Sequence, residues 1–126
     1  MKKIVDIFTT GDLSEVNLVI APDYLDHQGL VGINIRGQEG FSQVVMAGRK
    51  GLPNLYVVIE DLIAEDDKVV TRLQWHSTDS VGKKIDRETI DILRFVNGQA
   101  VEHWGAKSWT SESSASDHAQ YREGGA

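Results

Sequence analysis

The chain has no cysteine among its 126 residues, which excludes disulfide staples, thiolate nucleophiles and zinc–thiolate sites. Proline occurs only at Pro22 and Pro53, so long stretches are free to run as helix or strand. No apolar run approaches the roughly 20 residues that a membrane helix needs. Asp6 and Asp12 interrupt any signal-like segment behind Lys2 and Lys3. A cytoplasmic protein with no membrane partner is expected. Basic residues are the minority, 13 Lys and Arg against 19 Asp and Glu, for a formal charge of −6. The basic stripe of a nucleic-acid binder is therefore missing. Also absent are a phosphate-binding glycine loop, a Gly-x-Ser-x-Gly elbow and a dinucleotide motif. His76, His103 and Asp79 do not fall into a metal-ligand spacing. What is present is ordinary for one globular domain with one core, 40% hydrophobic and 25% charged.

The most informative stretch runs from Thr89 to Trp109. Ile90, Ile92 and Arg94 alternate with Asp91, Leu93 and Phe95, the period of a strand. Asn97-Gly98 is a strong hairpin signal, because both residues tolerate positive φ, and Ala100 to Trp104 returns as the second strand. A two-residue loop pairs Asp91 with Trp104 and Ile92 with His103. A three-residue loop with Gly98 as a bulge pairs Asp91 with His103 and Ile90 with Trp104. The second register is favoured. It sets Arg94, Glu102, Trp104 and Ser108 on one side, assigned to a cavity, and Asp91 and His103 on the other.

Elsewhere Ile4, Val5, Ile7 and Phe8 fit a short amphipathic helix ending near Gly11. Asp12 and Glu15 resemble a capping box for a second helix, with a stripe of Leu13, Val16, Leu18, Val19 and Ile20 that Ala21-Pro22 stops. Asp23 to His27 reads as a short strand, and Gly29 to Gly37 as a loop. Gln38 to Lys50 is a third helix with Phe41, Val44, Val45 and Gly48 inward. Strands follow over Leu55–Ala64 and Lys68–Thr78, the latter with Val69, Thr71, Leu73 and Trp75 on one face. Gly82-Lys-Lys is a turn, and Ile85 leads into the hairpin. The segment from Ser111 is rich in Ser, Ala, Gly and charge and predicts a flexible tail. Helices first and strands after make an α+β plan: a cone of three helices packed in a curved antiparallel sheet around a cavity.

The residues also resemble a family. Gly11-Asp12-Leu13, Ala21-Pro22-Asp23-Tyr24-Leu25-Asp26-His27, Gly37-x-x-Gly40-Phe41, Pro53-Asn54-Leu55 and Val58-x-Glu60-Asp61 are similar to the SnoaL-like polyketide cyclases. So is Ile90-Asp91-Ile92-x-Arg94-Phe95-x-x-Gly98-x-x-x-Glu102-His103-Trp104. These belong to the nuclear transport factor 2-like superfamily of cone-shaped α+β barrels, and the likeness spans roughly residues 4 to 109. It implies an aldol ring closure inside the cone, in which a carboxylate takes a proton alpha to a carbonyl and donors hold the enolate, with no metal or organic cofactor. Where the resemblance puts the catalytic aspartate, four residues after Trp104, this chain has Ser108.

The expected function is a small-molecule pocket protein for an apolar or aromatic carbonyl compound, acting as a cofactor-free cyclase, isomerase, dehydratase or hydrolase. The alternative is a binding or assembly module without chemistry. His27, Arg94 and Glu102 are the expected catalytic groups, although His27 also reads as a structural histidine and Arg94–Glu102 as a structural ion pair. Tyr24, Trp75, Trp104, Ser108, Asp91 and His103 are the expected substrate contacts. Asp91 and His103, opposite each other in the favoured register, read as a catalytic pair or, the favoured reading, as an outward pair at a dimer surface. A homodimer through the sheet face is expected.

Overall fold

The computed structural model describes residues 1–30 and 33–107, with the side chains of 28–30, 33 and 34 left aside. Ser108, Trp109 and the predicted tail lie outside the described residues. The element order is α1 (Lys2–Thr10), α2 (Val16–Val19), β1 (Ile20–Leu30), β2 (Ile33–Arg36), α3 (Gly37–Gly51), β3 (Tyr56–Glu65), β4 (Lys68–Thr78), β5 (Lys84–Val96) and β6 (Gln99–Lys107). The six strands form one sheet in the order β2-β1-β6-β5-β4-β3. The sheet is mixed and not antiparallel throughout, because β1 runs parallel to β6. Among the described residues no helix is long and apolar enough to cross a membrane.

Helix α1 buries Ile4, Val5 and Ile7, the i, i+3 stripe of an amphipathic helix. Gly11 ends it at φ 74°, and its N–H donates to the Ile7 carbonyl, the αL cap for which glycine is suited. Arg49 of α3 donates to the Phe8 and Thr9 carbonyls at 2.8 and 2.6 Å. A side chain from one helix thereby satisfies the orphan carbonyls of another. The Thr9 hydroxyl accepts from the Val57 N–H at 3.0 Å, which ties the same helix end to β3. Phe41 and Val45 of α3 are buried with Ile20, Tyr24 and Leu93 in the core.

The second helix is a single turn, Val16–Val19, not the expected helix over Leu13 to Ile20. Asp12 Oδ1 accepts from the Ser14 N–H, which makes a local turn instead of a cap. The β-branched Val19-Ile20 pair then continues directly into β1. Pro22 does not stop the chain: it lies within β1, in the irregular stretch between the Ile20–Ala100 and Leu25–Glu102 pairs. There the β2 partner has not yet begun, so its missing N–H breaks no regular ladder. The loop predicted over 29–37 likewise contains β2.

The hairpin follows neither predicted register. Asn97 and Gly98 take φ of 50° and 81°, a two-residue turn with both central residues left-handed. Val96 pairs with Gln99 and Phe95 with Ala100, but Arg94 pairs with Glu102. Val101 is thus an extra residue on β6, a bulge that shifts every later pair by one. From there Leu93 opposes His103, Ile92 opposes Trp104 and Asp91 opposes Gly105.

Candidate functional site

Along β5, Arg87, Thr89, Asp91 and Leu93 share one face of the sheet by the period of two. With Tyr24 and Asp26 of β1, Leu73 and Trp75 of β4 and His103 of β6, they line a pocket of about 450 Å³ that α1 and α3 close from the other side. Phe8 contributes from α1, and Phe41 and Val44 from α3. The aromatic rings meet edge to face: Phe8 with Phe41 at 5.7 Å, Phe8 with Trp75 at 5.1 Å, and Tyr24 with Phe41 at 5.9 Å between centroids. Edge-to-face contacts of this kind are favoured by the ring quadrupoles and pack the aromatic wall together.

A polar chain crosses the floor of this pocket. The Trp75 indole N–H donates to Thr89 Oγ1 at 2.8 Å. The Thr89 hydroxyl donates to Asp91 Oδ2. His103 bridges the two carboxylates, with Nε2 2.7 Å from Asp91 Oδ1 and Nδ1 2.8 Å from Asp26 Oδ1. Asp26 is 4% exposed and Asp91 7%. A ring that donates from both nitrogens is an imidazolium. Burial opposes that charge, but the hydrogen bonds and charges of Asp26 and Asp91 outweigh burial and raise the His103 ring to about 9. Tyr24, 2% exposed, has its hydroxyl pushed far above the usual phenol range by burial and then by the neighbouring Asp26 carboxylate. It stays a protonated donor at any physiological pH.

His27, Arg94, Glu102 and Trp104 are together, but on the opposite face. Glu102 accepts from Arg94 Nε at 2.9 Å and lies 2.7 Å from His27 Nε2. The His27 and then the Arg94 hydrogen bond hold its carboxyl below the usual range. The His27 and Trp104 rings stack at 5.1 Å, 12° from parallel. None of the four lines the pocket. The predicted sorting of the polar residues into two sets is observed, but the side assigned to the cavity is reversed: Asp91 and His103 face in, while Arg94, Glu102 and Trp104 face out. The physical reason is that α1 and α3 pack over the odd-numbered side of β5, which the alternation alone does not reveal. Tyr24 and Trp75 do line the pocket, and Ser108 lies outside the described residues.

Asp26 was missed as a site residue. The signal was available in the alternation of Tyr24 and Asp26 against Leu25 and His27, because a strand that points Tyr24 inward must point Asp26 inward too. Thr89 and Arg87 were missed for the same reason on β5. Among the described residues no group of three or more His, Asp or Glu is placed to hold a metal ion.

A family model described as SnoaL-like polyketide cyclase matches residues 1–107. The chain belongs to the SnoaL-like polyketide cyclase family. A candidate polyketide cyclase from Bacillus cereus ATCC 10987 is 31% identical, with a TM-score of 0.74 over 84% of this chain and 70% of that one. Wild-type IdmH, a candidate polyketide cyclase from Streptomyces antibioticus, is 25% identical, with a TM-score of 0.73 over 83% and 86%. AclR, a candidate hydroxylase from Streptomyces galilaeus, shares the fold at 23% identity, with a TM-score of 0.68 over 84% and 74%. No curated protein matches the chain. The SnoaL-like fold therefore carries proteins named for more than one reaction, and the site must supply the argument for this one.

Proposed function

We propose that this SnoaL-like protein is a cofactor-free acid/base enzyme that removes a proton alpha to the carbonyl of a small apolar or aromatic compound, as the first step of a cyclase- or isomerase-type reaction. The observation that supports the reading is the imidazolium of His103 clamped between two buried carboxylates in an otherwise apolar pocket. Asp91 is the base, being the less enclosed of the two carboxylates. His103 is its positioning partner: the ring fixes Oδ1 and Thr89 fixes Oδ2, and each carboxylate oxygen keeps a lone pair that can accept the proton. The proton moves from carbon to Asp91, and the electron pair moves onto the carbonyl oxygen. Tyr24, whose single O–H donates to Asp26 in this structure, redirects it to that oxygen when substrate binds, and a low-dielectric pocket strengthens the interaction.

The test needs no knowledge of the natural product. Exchange of α-hydrogens for deuterium is followed by NMR on aryl ketones and aryl β-keto esters in deuterated buffer. Wild-type protein is expected to accelerate exchange, and Asp91→Asn and His103→Gln to lose it by about 100-fold or more. Wild-type exchange no faster than buffer, across the panel, sinks the reading. The second reading, a binding module without chemistry, is favoured by one fact: both ring nitrogens are already occupied. It predicts saturable binding of the same compounds with no exchange.

The same reading includes a second copy of the chain on the outer face of the sheet. That face exposes Tyr56, Val58 and Ile90 at 52, 37 and 42%, an apolar set of the kind that marks an interface. A dimeric mass by light scattering at micromolar concentration is expected, and a monomeric mass contradicts it.

A further inference from the structure

The charges that line the pocket are segregated. The acidic groups Asp26 and Asp91 lie at its floor with His103, all largely buried. The two further charged side chains in the lining are both cationic: Arg87, half-buried on β5, and Lys107, exposed on β6. They are neighbours, since Lys107 pairs with Thr89, two residues from Arg87 on the same face. Lys107 has no ion-pair partner among the described residues. Arg87 makes other contacts, including a long hydrogen bond to the Asp86 carbonyl, but a guanidinium has five donors and retains capacity for a ligand. Between these cations and the floor the lining is aromatic and aliphatic, with Phe8, Trp75, Val57 and Leu73. A ligand that satisfies all three zones is acidic at one end, flat and apolar in the middle, and carries its activated C–H at the other.

We propose that the pocket takes a carboxylate-bearing aromatic carbonyl compound, its carboxylate held by Arg87 and Lys107 and its reacting carbon at the Asp26–His103–Asp91 floor. The ligand geometry follows from the strands. Lys107, opposite Thr89, lies two residues along the sheet from Asp91, and Arg87 lies four residues from Asp91 on β5, about 13 Å between Cα atoms. The long basic side chains take up part of that span. The separation of the Arg87 guanidinium from the reacting carbon is thus about the length of a fused two-ring system, with Lys107 reaching toward the same end from the side. A planar carboxylate matches the fork of a guanidinium, with the ammonium as a second point charge. The pocket volume of about 450 Å³ suits a small acid entering whole. The cations also orient it: the carboxylate is repelled by Asp26 and Asp91 and attracted to the mouth, so the molecule enters with its carbonyl end down.

This substrate class rests on the pocket reading given above, but not on catalysis occurring. Calorimetric titration with 6-acetyl-2-naphthoate and its methyl ester separates the two. The acid is expected to bind wild-type protein at least tenfold tighter than the ester at low ionic strength, and added salt to erode the difference. In the Arg87→Gln/Lys107→Gln double variant the acid is expected to fall to the level of the ester, while the ester is bound as before. Loss of ester binding as well would point to a damaged pocket, so the single variants are titrated too, each expected to lose part of the preference. Equal affinity for acid and ester in wild type, no acid binding at all, or a preference that survives the double variant each overturns the proposal. Acid preference without any α-hydrogen exchange removes the catalytic reading alone. Exchange without acid preference removes this one alone.

Discussion

Raising the pH from 6.5 to 9 should remove stability that His103 supplies. In the folded chain its ring is raised from 6.5 to about 9, burial pulling it down and the bonds to Asp26 and Asp91 lifting it further. In the unfolded chain the ring returns to the ordinary value. Below pH 6.5 both states carry the proton, and the full stabilisation is present. Between the two values only the folded state holds it, so stability falls as pH rises, by about 1.4 kcal/mol per pH unit. Above about 9 neither state holds the proton and the contribution is gone. Across the window the loss is about 3 kcal/mol, on the order of 10 °C in Tm for a domain of this size. Urea unfolding of wild type and His103→Gln from pH 6 to pH 9.5 checks it. Subtracting the variant removes most of the contribution of other titrating groups, and the difference should decline through the window and level off beyond it. Nitrogen chemical shifts of the ring give the midpoint directly. Parallel stability curves for the two proteins, or a ring midpoint at or below 6.5, would refute the reasoning and make His103 a neutral histidine.

Two further outcomes follow from the same geometry. Glu102→Gln and His27→Ala lie on the outer face, so α-hydrogen exchange by these variants should stay within about twofold of wild type; a loss comparable with Asp91→Asn would mean that the pocket is not the site. Gly40→Ala would set a Cβ 2.5 Å from Ile35 Cγ2, an overpacked contact between α3 and β2 that should cost about 1–3 kcal/mol in denaturant unfolding, and an unchanged midpoint would show that Ile35 can swing clear.

Much of the fold could be read from local rules, and the failures have local causes. The bounds of β4 agree residue for residue, and α3 agrees within one residue at each end, because their patterns have a single period and are bracketed by turn residues. The Asn97-Gly98 turn is where its dipeptide says it should be. The stretch from 12 to 36 was misread because two local signals competed with tertiary pairing. The apolar positions of Leu13 to Ile20 fit a helix, but Ile20 pairs with Ala100 across the sheet, and that partner is invisible in the segment itself. A proline that reads as a stop at the end of a helix is harmless in an irregular length of strand. Parallel pairing between β1 and β6, residues 20–26 against 100–103, depends on a contact some 80 residues apart, which no window on the sequence samples.

The site was legible as two sets of residues but not as an inside and an outside, and β5 shows why. Its inner face reads Arg87, Thr89, Asp91, Leu93, and its outer face reads Glu88, Ile90, Ile92, Arg94. By hydropathy the outer set is the better core, and Ile90 is nonetheless 42% exposed. On the proposed reading, a pocket that does chemistry must bury polar groups and an interface for another chain must expose apolar ones, so each requirement inverts the usual rule on its own face. Alternation then gives the period without the sign. The sign comes from residues on other strands: Trp75 and Leu73 on β4 and Tyr24 on β1 share the side of Asp91, and α1 and α3 pack there. The sorting itself hangs on one residue. With a two-residue turn and no bulge, His103 would oppose Ile92 and leave the face of Asp91. Val101 supplies the extra position that turns the imidazole back between Asp26 and Asp91. A bulge beside a turn is a known device for re-aiming a side chain, and here what it aims is the cation on which the proposed acid/base chemistry depends.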